Sequence, residues 1–149
     1  MKVSELMTKE VITVSPAMSV KDAAKLLFSL QISGLPVVDE EKHVIGMITE
    51  KDIIAMALPK YIDQVGDFAY LLDTEPFNRK IAEADKVLVK DIMRKEVVCV
   101  TEDTPMPEVA KLMIVKKIRR IPVLRERKLV GIIARSDIVK EIARRAGLV

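Results

Sequence analysis

The chain contains the same unit twice, and this duplication constrains its fold more than any other feature of the sequence. Residues 3–14 align without gaps on residues 89–100. One residue drops out near His43, and a stretch from glycine to aspartate then closes both copies at residues 46–52 and 131–137. Because the identities extend over the whole unit, we expect two copies of one fold.

Each copy has the pattern β-α-β-β-α. The first strand is a short β-branched run, at residues 11–14 in one copy and 97–100 in the other. A helix is predicted at residues 20–30, where apolar residues recur with the spacing of one buried helical face. Two apolar strands follow at residues 35–38 and 44–49, joined by a polar turn. The last helix starts directly after the second of these strands.

Polar residues mark the predicted starts of the first helix in each copy. Ser19 with Asp22 has the pattern of a capping box, and Thr104 followed by Pro105 has the same role in the second copy. One unit of this size buries too little surface to be stable alone. We therefore expect the two units to pack face to face as a pseudo-two-fold pair.

The predicted domains are residues 1–57 and 86–149, with a helical insertion at residues 58–85. The insertion holds four of the five aromatic residues of the chain. It either packs on the pair or forms a contact with a partner or a second copy, since aromatic residues favour interfaces.

Composition excludes several classes of protein. Aromatic residues make up 3% of the chain, which argues against stacking platforms for nucleic acid, and a net charge of +3 does not predict nucleic-acid binding. Cys99 is the only cysteine, so no internal disulfide forms and a reducing compartment is expected. No apolar run reaches the ~18 residues of a membrane span and no signal-peptide pattern opens the chain. We expect a soluble, cytoplasmic protein.

The repeated motifs resemble a known family. Two copies of V-x-(D/E)-(L/I)-M-x-x-x-V-x-x-V, each followed by (L/I)-P-V-(V/L) and G-x-I-x-x-x-D, resemble cystathionine-beta-synthase-type (CBS) domains in a tandem pair. The resemblance implies an α/β (α+β) fold of two β-α-β-β-α units and a non-catalytic regulatory module that forms homodimers. It implies no obligatory cofactor. The candidate regulatory ligands are AMP, ADP, ATP and S-adenosylmethionine, bound in clefts between the two units. Binding is then signalled to an unknown regulated protein.

The resemblance also implies site residues for a main cleft. In nucleotide-binding members, the aspartate of G-x-x-(T/S)-x-x-D holds the ribose and the Thr or Ser reaches the phosphate, which Asp52 and Thr49 match. In the gamma subunits of AMP-activated kinases, which this chain resembles, a His-Arg pair before the apolar-Pro pair contacts phosphate. Arg120 matches the arginine, whereas Arg119 replaces the histidine. The backbone near Val98 is placed for the adenine edge.

A second cleft is predicted to be weaker. Asp137 keeps the ribose position, but Ala134 replaces the threonine. Ser33 and Gly34 stand where the other cleft has arginines, and Thr13 lies on the strand at the adenine edge. Without a cation, this cleft suits a neutral or less phosphorylated ligand, or none.

Simpler interpretations of the same residues remain open. Thr49 and Asp52 also form a capping box, which needs no ligand. Residues 116–120 also suit a solvated helix end, where cations are favoured by the dipole. The alternative function is a ligand-free dimeric scaffold, or a nucleic-acid adaptor that uses residues 116–120 and 144–145. No metal site is expected, because His43 has no second His or Cys nearby. The sequence also contains no nucleophile–base pair, so we do not expect an enzyme.

Overall fold

The computed structural model describes residues 1–58 and 74–147. Within these ranges the helices are α1 (Val20–Leu30), α2 (Glu50–Met56), α3 (Glu75–Ala82), α4 (Val89–Ile92), α5 (Met106–Lys116) and α6 (Arg135–Arg145), preceded by a 3-10 turn at Val3–Glu5. The strands are β1 (Gly34–Val38), β2 (Val44–Thr49), β3 (Val100–Thr101), β4 (Arg120–Arg125) and β5 (Lys128–Ala134). The order confirms the predicted mixed fold of two β-α-β-β-α copies.

The strands form two sheets among the described residues. In the second copy β3 runs parallel to β4, and β4 is antiparallel to β5. In the first copy β1 pairs with β2, and the predicted first strand is reduced to one parallel bridge between Val14 and Val37. The prediction of strands at residues 11–14 and 97–100 was therefore too long. Only the last residue of each run reaches the neighbouring strand.

The helix boundaries follow from local chemistry. The α1 helix begins as predicted after Ser19, whose Oγ accepts a hydrogen bond from the Asp22 N–H at 3.1 Å. The prediction for the second copy was wrong. Pro105 is the residue that precedes α5, and Thr104 Oγ1 accepts instead from the N–H of Thr101 at 3.1 Å.

Packing divides the chain differently from its repeats. One compact unit, here the C-terminal unit, contains Met1–Ile12, Asp39–Val44 and the described part of Glu96–Val149. The other, the central unit, contains Thr13–Val38 and the described part of Ile45–Lys95. Each unit thus includes the opening segment of the other copy of the repeat. The domain boundaries at residues 57 and 86 concern the repeats of the sequence and stay a prediction.

The exchanged segments are bonded in the same way in both units. In the C-terminal unit, Thr8 and Ile132 exchange two backbone hydrogen bonds of 2.9 Å. In the central unit, Arg94 and Met47 do the same, also at 2.9 Å. Each opening segment therefore adds one antiparallel bridge to a strand of the other copy.

A methionine packed over a glycine fixes each exchanged segment. A Cβ on Gly46 would lie 2.5 Å from the Met93 sulfur and 3.0 Å from the Arg94 carbonyl oxygen. The same relation joins Gly131 to the sulfur of Met7. Since no carbon fits there without movement, only glycine lets the methionine and its backbone approach the strand this closely.

We predict that Gly46→Ala lowers the free energy of unfolding by about 1–3 kcal/mol, because the added methyl group overpacks the contact with Met93. Urea denaturation followed by circular dichroism measures the change. The double variant Gly46→Ala, Met93→Ala serves as the matched control, since it removes the collision. If Gly46→Ala alone unfolds at the wild-type urea midpoint, the close contact does not constrain the sheet.

The predicted helical insertion is described only in part. Residues 59–73 lie outside the described residues, and they include three of the aromatic positions on which the prediction depended. The remainder of the insertion contains α3, at Glu75–Ala82. The Val20 N–H donates to the Val87 carbonyl at 2.8 Å, and the Lys21 N–H donates to the Ala84 carbonyl at 3.1 Å. The segment that follows α3 is therefore bonded to the start of α1.

One buried carboxylate holds two arginines at the end of α6. The Glu141 side chain is 6% exposed and accepts hydrogen bonds from Arg144 at 2.6 and 2.9 Å and from Arg145 at 2.8 Å. These bonds, first those from Arg144 and then those from Arg145, lower the pKa of Glu141 to about 2. The two cations near the helix C-terminus also suit the helix dipole.

The lowered pKa predicts an acid-labile contribution to stability. It is fully present above the ordinary glutamate pKa of about 4.5 and is lost as the pH falls towards about 2, because the unfolded chain binds the proton first. We expect Glu141→Gln to flatten the fall of unfolding free energy between pH 5 and pH 2, as measured by urea titrations. Glu126→Gln removes an exposed carboxylate and serves as the control. An unchanged acid limb in Glu141→Gln would contradict the assignment.

Candidate functional site

The corner between β2 and α2 carries the best-matched pair of predicted site residues. Thr49 lies at the end of β2 and precedes α2, with extended backbone angles. Its N–H and its hydroxyl both donate to Asp52 Oδ2 at 2.9 Å, and its Oγ1 accepts from the Asp52 N–H at 3.3 Å. The predicted capping box is thus formed. These bonds use only the Oδ2 atom of the carboxylate.

Two residues of the second predicted cleft are adjacent to this corner. The Glu50 N–H donates to the carbonyl of Ser33 at 2.9 Å, and a Cβ on Gly34 would lie 3.0 Å from the Thr49 methyl group. Thr13 precedes the bridge that joins Val14 to β1. Within the central unit, the structure therefore brings Ser33, Gly34, Thr49 and Asp52 together, with Thr13 on the segment beside β1.

The C-terminal unit has the equivalent corner with different side chains. The Arg135 N–H donates to the Arg119 carbonyl at 2.8 Å, and Arg120 faces Ala134 across β4 and β5. Asp137 Oδ2 accepts from the N–H of Ala134 at 2.7 Å, which caps α6 without a threonine hydroxyl.

Val98 is partly buried and lies just before β3 in the same unit. Each predicted cleft therefore draws residues from both units. Thr49 and Asp52 belong to the central unit, whereas Val98, Arg119 and Arg120 belong to the C-terminal unit. The joint action of these two groups stays a prediction, as does that of Asp137 with Thr13, Ser33 and Gly34.

Glu50 and Arg135 occupy equivalent positions directly after the two strands, where the sequence predicts the last helix of each copy to begin. They differ in the sign of their charge.

His43 contacts an acidic residue of its own turn, and Cys99 is half-buried. The His43 Nδ1 lies 3.1 Å from Asp39 Oδ2, and the hydrogen bond from the His43 backbone N–H is the main cause that lowers the pKa of that carboxyl. Burial raises the pKa of the Cys99 thiol, which disfavours the nucleophilic thiolate. No cluster of three metal-ligating side chains occurs among the described residues. Nor does any helix within those residues have the length and apolar character to cross a membrane.

Comparison of the sequence with protein-family models identifies the family of this chain. The model of the CBS domain matches residues 3–58 and residues 89–144. The chain belongs to the CBS domain family. The two matches coincide with the two copies of the repeat, and they confirm the tandem pair inferred from the motifs.

Curated relatives carry CBS domains in proteins of different length. Inosine-5'-monophosphate dehydrogenase of Methanocaldococcus jannaschii is 35% identical over 140 residues, which are 93% of this chain and 23% of that enzyme. The chloroplastic CBS domain-containing protein CBSX1 of Arabidopsis thaliana is 31% identical over 147 residues, covering 93% of this chain and 62% of the relative. The chain thus spans less than a quarter of the dehydrogenase and about three fifths of CBSX1.

Solved CBS-pair structures share the fold over nearly the whole chain. CBSX2 in complex with AMP is 28% identical with a TM-score of 0.75, covering 97% of this chain and 98% of that one. The CBS domain pair of MJ0100 in complex with 5'-methylthioadenosine and S-adenosyl-L-methionine is 27% identical with a TM-score of 0.72, covering 97% and 98%. MJ1225 of M. jannaschii is 25% identical with a TM-score of 0.79, covering 95% of this chain and 48% of that one.

Proposed function

We propose that this protein is a non-catalytic regulatory module that senses an adenosine compound and signals to a partner protein. The observation that carries the proposal is the likeness to CBSX2 in complex with AMP, which extends over nearly all of both chains. The complex of MJ0100 with S-adenosyl-L-methionine adds a second adenosine ligand class. AMP, ADP, ATP and S-adenosylmethionine are therefore the candidate ligands.

Asp52 is the proposed ribose ligand. Its capping bonds use Oδ2, so Oδ1 can accept a hydroxyl hydrogen bond while the cap stays intact. A carboxylate in this role forms charge-assisted hydrogen bonds, which are about twice as strong as neutral ones. We assign Thr49 with Arg119 and Arg120 to the phosphate and the backbone at Val98 to the adenine edge.

The second, weaker site is assigned to Thr13, Ser33, Gly34 and Asp137. Its Asp137 carboxylate has the same capping geometry as Asp52, but Ala134 offers no hydroxyl and the assigned residues include no cation. A phosphate would therefore gain less there than at the first site. We expect one nucleotide to bind per chain before a second does.

A ligand changes the signal only if it binds two states of the protein with different affinity. The partner protein that reads the change is part of the proposal, as is a cytoplasmic location, which suits a chain whose only cysteine is Cys99.

Calorimetric titration with AMP and ATP tests the main site. We expect Asp52→Asn to weaken binding by roughly tenfold to a hundredfold, since a hydrogen bond to a charged group contributes about 1.5–3 kcal/mol. Asparagine keeps an acceptor for the Thr49 N–H, so the fold should persist. Asp137→Asn is the matched control and should leave the first binding event nearly unchanged.

A double-mutant cycle tests whether the two units act together. If Asp52 and Arg120 bind one ligand jointly, the effects of Asp52→Asn and Arg120→Ala on its affinity should depart from additivity. No heat and no thermal shift with any adenosine compound would overturn the proposed function. Steeply salt-dependent binding of DNA or RNA by the same preparation would instead support the nucleic-acid adaptor.

We also propose a homodimer through the exposed apolar faces of the repeat helices. Phe28 on α1 and Ile54 on α2 are 86% and 60% exposed, and α1 contacts α2 within the central unit. Their counterparts in the second copy, Ile114 on α5 and Val139 on α6, are 75% and 57% exposed. Exposure of such side chains in both copies is typical of an interaction surface.

Sedimentation equilibrium tests the dimer. We expect the double variant Phe28→Asp, Ile114→Asp to shift the mass from two chains to one, because burying a carboxylate in an apolar interface is costly. Ile81→Asp, which charges an exposed apolar position on α3, should leave the mass unchanged. A monomeric wild type would contradict the proposal, and dissociation by Ile81→Asp alone would place the contact in the insertion.

A further inference from the structure

Two methionine thioethers lie where the exchanged segments join the sheets. The Met93 sulfur occupies the place that a Cβ on Gly46 would need, and the Met7 sulfur has the same position over Gly131. Both methionines are half-buried, whereas Met113 in the core is only 2% exposed. The two sulfurs are therefore close to solvent and in contact with the backbone of a strand.

Each exchanged segment is held at two points. In the C-terminal unit its first residues are attached by the Val3 N–H, which donates to the Thr104 carbonyl at 3.0 Å. In the central unit the Val89 N–H donates to the Met18 carbonyl at 2.8 Å. The end that carries the methionine is joined to its strand by one isolated bridge. Because a single bridge opens more readily than a ladder, local opening exposes the thioether while the first residues stay attached.

A backbone acceptor lies beside each sulfur. The Arg94 carbonyl oxygen is 3.0 Å from the Cβ position of Gly46, and it already accepts the Met47 N–H at 2.9 Å. The Met47 carbonyl in turn engages the Arg94 N–H, so both backbone donors of the bridge are used. A sulfoxide oxygen is polar and needs a donor of its own. Oxidation would thus add bulk and an unpaired acceptor at a point with no room for a carbon.

We infer that Met7 and Met93 are peroxide-sensitive modification sites, and that their oxidation opens the bridge between each exchanged segment and the strand it joins. The thioether sulfur attacks one oxygen of hydrogen peroxide, so that an S–O bond forms and the O–O bond breaks. The sulfur loses two electrons. The departing hydroxide takes the proton of the transferred oxygen and leaves as water, and the product is methionine sulfoxide. No ligand takes part in this step.

Other sulfur atoms of the chain are less suited to this role. Cys99 is the only cysteine and is half-buried, and burial raises the pKa of its thiol, which disfavours the reactive thiolate. Met1 is 43% exposed, but its sulfur contacts the Arg145 guanidinium at 3.6 Å and not a glycine of a strand. We expect oxidation of Met1 to leave both bridges closed.

Amide hydrogen exchange after peroxide treatment tests the inference. Peptide mass spectrometry locates the residues that gain one oxygen, and NMR follows the exchange of single amides. Four bridge amides should exchange at least about tenfold faster after oxidation, namely those of Thr8, Ile132, Met47 and Arg94. The Val3 and Val89 amides should keep their protection, which distinguishes local opening from unfolding.

The oxidation-resistant variant is Met7→Leu, Met93→Leu, because leucine has nearly the same volume and no sulfur. Its bridge amides should exchange equally fast before and after peroxide. Met18→Leu, Met106→Leu removes two other half-buried methionines and is the matched control. It should respond to peroxide as the wild type does, and so should Cys99→Ser.

Met93→Gln tests one unit without any oxidant, since glutamine places a polar acceptor where the sulfoxide would be. It should speed exchange of the Met47 and Arg94 amides and leave those of Thr8 and Ile132 unchanged. The single variant also serves if the double leucine variant does not fold.

Several results would overturn the inference. Met7 and Met93 could gain oxygen with no change at the bridge amides, or stay unoxidised under conditions that oxidise Met1. Loss of protection at Val3 and Val89 as well would mean unfolding of the units and not local opening. A response that persists in Met7→Leu, Met93→Leu, or that Cys99→Ser abolishes, would assign the effect to another sulfur.

Discussion

Each sheet depends on a methionine that sits over a glycine of the other copy of the repeat. Met93 covers Gly46 in the central unit, and Met7 covers Gly131 in the C-terminal unit. Both glycines lie in the strand that leads directly into a helix-starting corner. The contact therefore sets the position of the strand, and the strand sets the position of the aspartate that follows it.

The same backbone thus presents two different chemistries. Both corners have an aspartate that caps its helix and an N–H that bonds a carbonyl of the preceding strand segment. One corner adds a threonine hydroxyl and Glu50, and the other adds three arginines. Duplication supplies two equal frames, and substitution at a few exposed positions makes them unequal without disturbing the buried contacts. The two corners therefore differ in charge more than in fold.

The sequence predicted the elements whose signals are local. The apolar spacing located α1, and the strand-to-helix change located β2 and the start of α2. It did not predict the elements whose structure depends on residues far away along the chain. The β-branched runs at residues 11–14 and 97–100 form almost no strand, because their pairing with the neighbouring strand begins only at the last residue. The exchange of opening segments was also missed, since two segments with the same motif carry no signal that tells which copy each one joins. For the site, spacing located Thr49 and Asp52 and predicted the capping box that they share.

The exchange has a consequence for synthesis on the ribosome. Thr8 is made before its backbone partner Ile132, which follows both helices of the first copy and most of the second copy. Pairing over so long a separation is slow, and the apolar Leu6 and Met7 have no sheet to cover until then. Met47 needs only Arg94 as its backbone partner, and Arg94 is made before Ile132. The central unit can therefore form first. The central unit can therefore close while the opening segment of the first copy still lacks its sheet partner, and a segment exposed in this way is available to chaperones.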